Sequence, residues 1–111
     1  MVRIEIVKSL FEEIESKFKK EASKVFDLIG TQSPSKGKTL GSVGGIVIKE
    51  FKYGNFRLYF LADGFKLKCF NEKELVDLLL RFVRMSDKKS QQETIDEIKH
   101  ILKTIGPTGF L

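Results

Sequence analysis

The residues best equipped for chemistry lie close together in one stretch. Between positions 46 and 70, IVIKEFKYGNFRLYFLADGFKLKCF carries Lys49, Lys52, Arg57, Lys66 and Lys68, with Glu50 and Tyr59 among them. Cations at this density suit phosphate, because a localised positive field attracts polyanions and preplaced charges stabilise the negative charge that builds during phosphoryl transfer. Glu50 adds a carboxylate that can accept a proton, although pairing with Lys52, Arg57 or Lys68 is the commoner role of such a group. Tyr59 offers a ring on which a base stacks, or one that packs beside lysine stems. Other chemistries have little to work with. His100 is the single histidine, so a two-histidine ribonuclease is excluded, and its place off the Ile98–Leu102 stripe reads as helix surface. Cys69 is the single cysteine, which excludes an intrachain disulfide and a multi-cysteine zinc site. It reads as a small core residue. Gly37-Lys38-Thr39 ends like a phosphate-binding loop, but Gln32 stands where the motif needs its first glycine, and no strand precedes it. The sequence therefore implies no nucleotide site, metal or cofactor.

The charge distribution sharpens this reading. The net charge of +5 is carried entirely by residues 31–70, where seven basic side chains meet only Glu50 and Asp63. A localised cationic surplus points to a polyanionic partner, with a merely well-solvated surface as the bland alternative. At 111 residues and 41% hydrophobic, the chain suits one domain, residues 1–111, with enough apolar matter for a core. Apolar runs such as Leu78–Leu80 fall far short of the roughly 20 residues needed to span a bilayer. The start, MVRIEIVKSLFEEIE, has acids where a signal peptide needs an apolar run, so a cytoplasmic protein without a membrane role is expected.

The elements that must position these residues follow from periodicity. VRIEI, residues 2–6, alternates and suits a strand. Leu10, Ile14, Phe18, Ala22, Val25 and Ile29 recur every three or four residues along one helical face, widened by Phe11 and Phe26 and stopped by Gly30. One long helix and two helices joined near Lys19–Lys20 fit equally well. Residues 30–45 read as a flexible, basic loop that suits an extended partner. Gly54-Asn55 and Asp63-Gly64 are favoured pairs for two-residue hairpin turns. If both turn that way, Tyr53 faces Phe56, Lys52 faces Arg57, Phe51 faces Leu58 and Glu50 faces Tyr59. Beyond the second turn Ala62 faces Phe65, Leu61 faces Lys66, Phe60 faces Leu67 and Tyr59 faces Lys68. One face of this meander then collects Val47, Phe51, Phe56, Leu58, Phe60, Phe65, Leu67 and Cys69. The other collects Glu50, Lys52, Arg57, Tyr59, Lys66 and Lys68. Lys49 falls on the apolar face, and Ile48 and Leu61 fall on the cationic one. The N-terminal helix is expected to cover the apolar face and leave the cationic face open. Residues 71–85 fit a helix begun by Asn71 and Glu74, or a buried strand in LLLRFVRM. Residues 90–105 form an amphipathic helix with Ile95, Ile98, Leu102 and Ile105 on one side, ended by Gly106-Pro107.

In this order, IKEFKYGNFRLYFLADG resembles the central hairpin of the RelE/HigB toxin superfamily. RFVRMSDKKSQQETIDEIKHIL resembles that family's last strand, its Lys-rich turn and its C-terminal helix. The resemblance covers most of the chain and implies a small α+β domain, an antiparallel sheet with N-terminal helices and a C-terminal helix packed on one side. It makes LLRFVRM the last strand, with an insertion over residues 68–78. It also implies a toxin of a toxin–antitoxin system: a metal-independent endoribonuclease that needs no cofactor, cuts messenger RNA, often on the ribosome, and is silenced by an antitoxin protein.

Under that resemblance Arg57 takes the place of the family's arginine on the second hairpin strand. Lys49 or Lys52 falls near its basic residues on the first, and Lys88 and Lys89 match a basic position after the last strand. The hairpin register singles out Arg57 and Lys52 on its own account. Register and resemblance together make Arg57, Lys52 and Lys88 the catalytic candidates, with Lys49, Tyr59, Lys66, Lys68, Arg84 and Lys89 as candidate RNA contacts. One departure matters. Several members carry a Tyr or His near the C-terminus for proton transfer or stacking, and here Thr94 stands at the matching helical position. Two alternatives follow: a catalytically inert RelE-fold protein that binds RNA or ribosomes, and an interaction module for an acidic protein partner.

Overall fold

The computed structural model describes residues 2–33, 36–68 and 78–110. A short strand β1 (Arg3–Ile6) leads into α1 (Lys8–Phe18), which a 3-10 turn at Lys19–Glu21 separates from α2 (Ala22–Gly30). The expected stripe is therefore borne by two helices. Its break is at Lys19, whose φ of 49° is incompatible with a continuous right-handed helix. Leu10, Ile14, Ala22, Val25 and Ile29 are all buried, as their spacing requires.

Residues 38–43 form a strand where a loop was expected. β2 (Lys38–Val43) joins β3 (Ile46–Tyr53) through Gly44-Gly45, both at positive φ, with Val43 opposite Ile46. Two glycines at left-handed φ are what a tight two-residue hairpin demands. The glycines and serine that make the segment look like a loop are tolerated because β2 lies at the sheet edge. β3 then pairs with β4 (Phe56–Asp63) through Gly54-Asn55 in the expected register: Tyr53 opposite Phe56, Lys52 opposite Arg57, Phe51 opposite Leu58, Glu50 opposite Tyr59.

The second turn is not a hairpin. Asp63 Oδ1 accepts the backbone N–H groups of Phe65 and Lys66 at 2.9 and 3.0 Å, so Asp63 caps a short helix, α3 (Gly64–Lys68). The Gly64 N–H donates to the Gly45 carbonyl at 2.8 Å. The pairings expected for Phe65, Lys66, Leu67 and Lys68 do not form, and Phe65 is among the exposed apolar residues. Asn71, Glu74 and Cys69 lie outside the described residues. The partner of β4 is instead β5 (Leu79–Asp87), the strand alternative for LLLRFVRM. Among the described residues the sheet has five strands in the order β1-β5-β4-β3-β2, antiparallel except for the β1–β5 pair.

β5 carries the detail that sets both faces. Tyr59 pairs with Arg84 and Phe60 with Phe82, so Val83 is the extra residue of a β-bulge. Without it Phe82 and Arg84 would share a face. With it, Phe82 stacks on Phe60 at 4.8 Å on one side, and Arg84 and Ser86 join Tyr59 and Arg57 on the other. Helices cover both faces. Phe18 of α1 packs edge-on against Tyr53 and Phe56 on the Phe60 side. α4 (Gln91–Thr104) and the 3-10 turn Pro107–Phe110 lie on the Tyr59 side, where Gln91 meets Glu50, Glu97 meets Arg84 and the Pro107 carbonyl meets Arg81. Expecting helices on one side only was wrong because the nominally cationic face also carries Ile48, Tyr59 and Leu61. These are at most 3% exposed beneath Ile95, Ile98 and Leu102 of α4. Burying that apolar area outweighs leaving the charges in open water. Among the described residues, no helix is long and apolar enough to cross a membrane.

Candidate functional site

The Gly54-Asn55 end of the sheet gathers the residues of interest. Cross-strand register places Lys52 opposite Arg57, Arg57 opposite Ser86, Glu50 opposite Tyr59 and Lys38 opposite Glu50, all on one face. β5 ends here, the Lys88–Lys89 turn follows, and α4 starts directly over Glu50. The Gln91 Nε2 donates to Glu50 Oε2 at 3.3 Å. The covered face therefore narrows to a rim at this end, where Lys38, Lys52, Lys88 and Lys89 remain exposed. A shallow cleft of 400 Å³ opens against Gly37, Lys38, Glu50, Phe51 and Lys52.

Two charged groups are buried under that rim. Glu50 is 2% exposed and Arg57 9%. The Arg57 Nε is buried without a hydrogen-bond partner, and none of the ion pairs among the described residues involves Arg57. A guanidinium presents five N–H donors and no acceptor, so a buried one without an anion is a costly arrangement. Tyr59 is fully buried, so it cannot stack on a base. Its hydroxyl shares a 2.8 Å hydrogen bond with Ser86 Oγ. Burial pushes the Tyr59 phenol above its usual pKa; Ser86 and Arg57 pull it down and Glu50 pushes it up. Tyr59→Phe is expected to cost about 1–2 kcal/mol, because it strands the Ser86 hydroxyl in the core. Chemical denaturation checks this, and an unchanged midpoint would mean that Ser86 finds another partner.

Gly37 closes the cleft from the loop side. At φ +84° it lies so near β3 that an added Cβ would stand 2.8 Å from the Glu50 carbonyl oxygen and 3.3 Å from the Phe60 ring. Gly37→Ala is therefore expected to destabilise the fold by about 1–3 kcal/mol and to displace Lys38 from the rim. A thermal melt with amide chemical shifts of Lys38 and Glu50 reads both effects. Asp87 stands just before α4. The Ser90 hydroxyl and backbone N–H both donate to it, at 2.7 and 2.8 Å, and hold its carboxyl below the usual carboxylate range.

The remaining basic residues of the expected site are elsewhere. Lys49 lies on the opposite face, opposite Phe60, at 6% exposure, where burial lowers its pKa. Lys66 and Lys68 belong to α3, beyond the far end of β4. Arg84 shares the face but is occupied: its Nε donates to Glu97 Oε1 at 2.6 Å, and its guanidinium lies 5.0 Å from the Phe110 ring centre. His100 is exposed on α4. Thr94 is bound to its own helix, its hydroxyl donating to the Ser90 carbonyl at 2.9 Å. The structure adds Lys38, Ser86 and Gln91. The signal for Lys38 was its distance from Gly44-Gly45, which sets its register against Glu50; Ser86 and Gln91 carried none.

Comparison of the chain with protein-family models, with curated proteins and with solved structures finds no match. Among the described residues, no three His, Cys, Asp or Glu side chains group as metal ligands.

Proposed function

We propose that this protein is a RelE/HigB-like toxin that cleaves messenger RNA, free or on the ribosome, without a metal. The observation that carries the reading is Arg57, nine-tenths buried with its Nε unpartnered, at the end of the sheet where the exposed lysines converge. A phosphate is the anion that completes such a site. The order of strand, helices, hairpin, strand and helix supports the same reading.

In this scheme Lys38, Lys52, Lys88 and Lys89 hold the RNA backbone along the rim, and Arg57 meets the scissile phosphate. Attack of the ribose 2′-oxygen on phosphorus forms one P–O bond and breaks the bond to the 5′-oxygen. Arg57 stabilises the charge that develops on the phosphoryl oxygens. Glu50, at 2% exposure beneath Gln91, is out of reach of the RNA, so a water at the rim takes the proton from the 2′-hydroxyl and Lys52 or Lys88 returns one to the departing 5′-oxygen. The products are a 2′,3′-cyclic phosphate and a 5′-hydroxyl.

Thr94 favours a second reading. With its hydroxyl bound to the helix backbone, it supplies neither proton transfer nor stacking, so an inert RNA- or ribosome-binding protein of the same fold is the alternative. Transcript-end mapping in a translation reaction, with and without ribosomes, separates the two. New ends bearing cyclic phosphate support the nuclease. Salt-sensitive RNA binding without new ends supports the inert binder, since phosphate contacts weaken steeply with salt. Absence of both would favour a module for an acidic protein partner, an antitoxin among them.

A further inference from the structure

The face that carries Arg57 has a second cleft at its opposite end, where β3 begins, β4 ends and α4 gives way to its 3-10 turn. It encloses 280 Å³, close to the lower bound of about 300 Å³ for small-molecule sites. Its floor is apolar, made by Ile46, Leu61 and Leu79, and its walls bring Arg3, Lys66 and Arg81 together. Asp63 is the acid on this lining, and one of its oxygens is engaged by the α3 backbone.

Arg81 is the central group. Its Nε is buried without a hydrogen bond, although the Glu5 carboxylate stands 3.1 Å away as an ion-pair partner. Its Nη1 makes only a 3.4 Å contact with the Pro107 carbonyl. Among the described residues, Glu5 and Pro107 are the partners that hold the guanidinium in place, and they leave donors on its planar fork unused. Arg3 enters none of the ion pairs among the described residues. Two guanidiniums over an apolar floor match a planar carboxylate attached to a hydrocarbon body, since Arg–carboxylate pairs are geometrically specific and the floor gains by covering.

We propose that this cleft binds a small organic monocarboxylate, its head group on Arg3 and Arg81 and its aliphatic or aromatic body over Leu61 and Leu79. The site is separate from the Arg57 rim and does not depend on the ribonuclease reading. The test is titration of the ¹⁵N-labelled full chain with hexanoate, acetate and hexanol, followed by amide chemical shifts. Hexanoate is expected to saturate and to move Leu61, Leu79 and Arg81, whereas acetate and hexanol bind at least about tenfold more weakly. Arg3→Gln, an exposed position whose loss leaves the Arg81 contacts intact, should weaken hexanoate about five- to tenfold. Arg57→Gln should leave hexanoate binding unchanged. Non-saturating shifts, equal response to acetate, or unaltered binding by Arg3→Gln would each overturn the proposal.

Discussion

Arg57→Met is expected to lower transcript cleavage by about 10²–10³-fold, the usual effect of removing one preplaced donor from a phosphoryl or acyl transition state. The same substitution should leave folding stability unchanged or raise it by about 1 kcal/mol or more. The two effects have opposite signs for one reason. The guanidinium is nine-tenths buried, its Nε has no hydrogen-bond partner, and none of the ion pairs among the described residues involves it, so a neutral side chain of similar volume removes a desolvation cost that a bound anion would offset. Methionine fills much of the same volume and removes the buried charge. Arg57→Lys should fall between wild type and Met, because it keeps the charge but loses the planar fork that meets two phosphoryl oxygens at once. Transcript-end mapping and a thermal melt on the three proteins decide the matter. Full activity in the Met variant would remove Arg57 from the site. Loss of activity accompanied by unfolding would make it a structural residue.

Phe110→Ala is expected to cost about 3–5 kcal/mol, as large aromatic truncations in cores do. Phe110 is 3% exposed although it lies in the short turn after α4, and the Arg84 guanidinium stacks over its ring at 5.0 Å. Gly106, at φ +101°, lets the chain reverse, and Gly109 then fits against Ile101 where a Cβ would stand 2.6 Å from a methyl group. The tail thus holds α4 against β5 through Phe110 and Arg84, while Arg84 is also paired with Glu97. Because the helix so held places Gln91 over Glu50, the variant should lose order at both ends of α4. Denaturant unfolding measures the cost, and amide exchange along residues 91–104 locates it. A loss under 1 kcal/mol would show that α4 is held by Ile95, Ile98 and Leu102 alone.

Local chemistry made much of this protein legible in its sequence. Gly54-Asn55 set the β3–β4 register, because a two-residue turn leaves one pairing, and Arg57 and Lys52 followed from it. The stripe from Leu10 to Ile29 announced the N-terminal helices, and Gly106-Pro107 ended α4. Asp63-Gly64 was misread because an aspartate before a glycine serves equally as a hairpin turn and as a helix cap. Only the Gly64 N–H bond to Gly45, from a distant hairpin, selects the second. β2 was missed because an edge strand needs few apolar residues, so its glycines and serine looked like loop.

The cationic face was the larger misjudgement, and its cause is tertiary. Alternation in β3 and β4 correctly assigned Glu50, Lys52, Arg57 and Tyr59 to one side, but it counts residues by type and cannot weigh the area that a second helix will cover. Ile48, Leu61 and Tyr59 supply enough apolar surface to draw α4 onto that side, and the Val83 bulge turns Arg84 and Ser86 toward it. What the residues alone determined was the pairing of neighbouring strands and the concentration of positive charge, since both depend on contacts a few positions apart. What the tertiary structure decided was which charges stay in water and which are buried. That depends on where α4 lands, which is settled by burial summed over residues far apart in the chain.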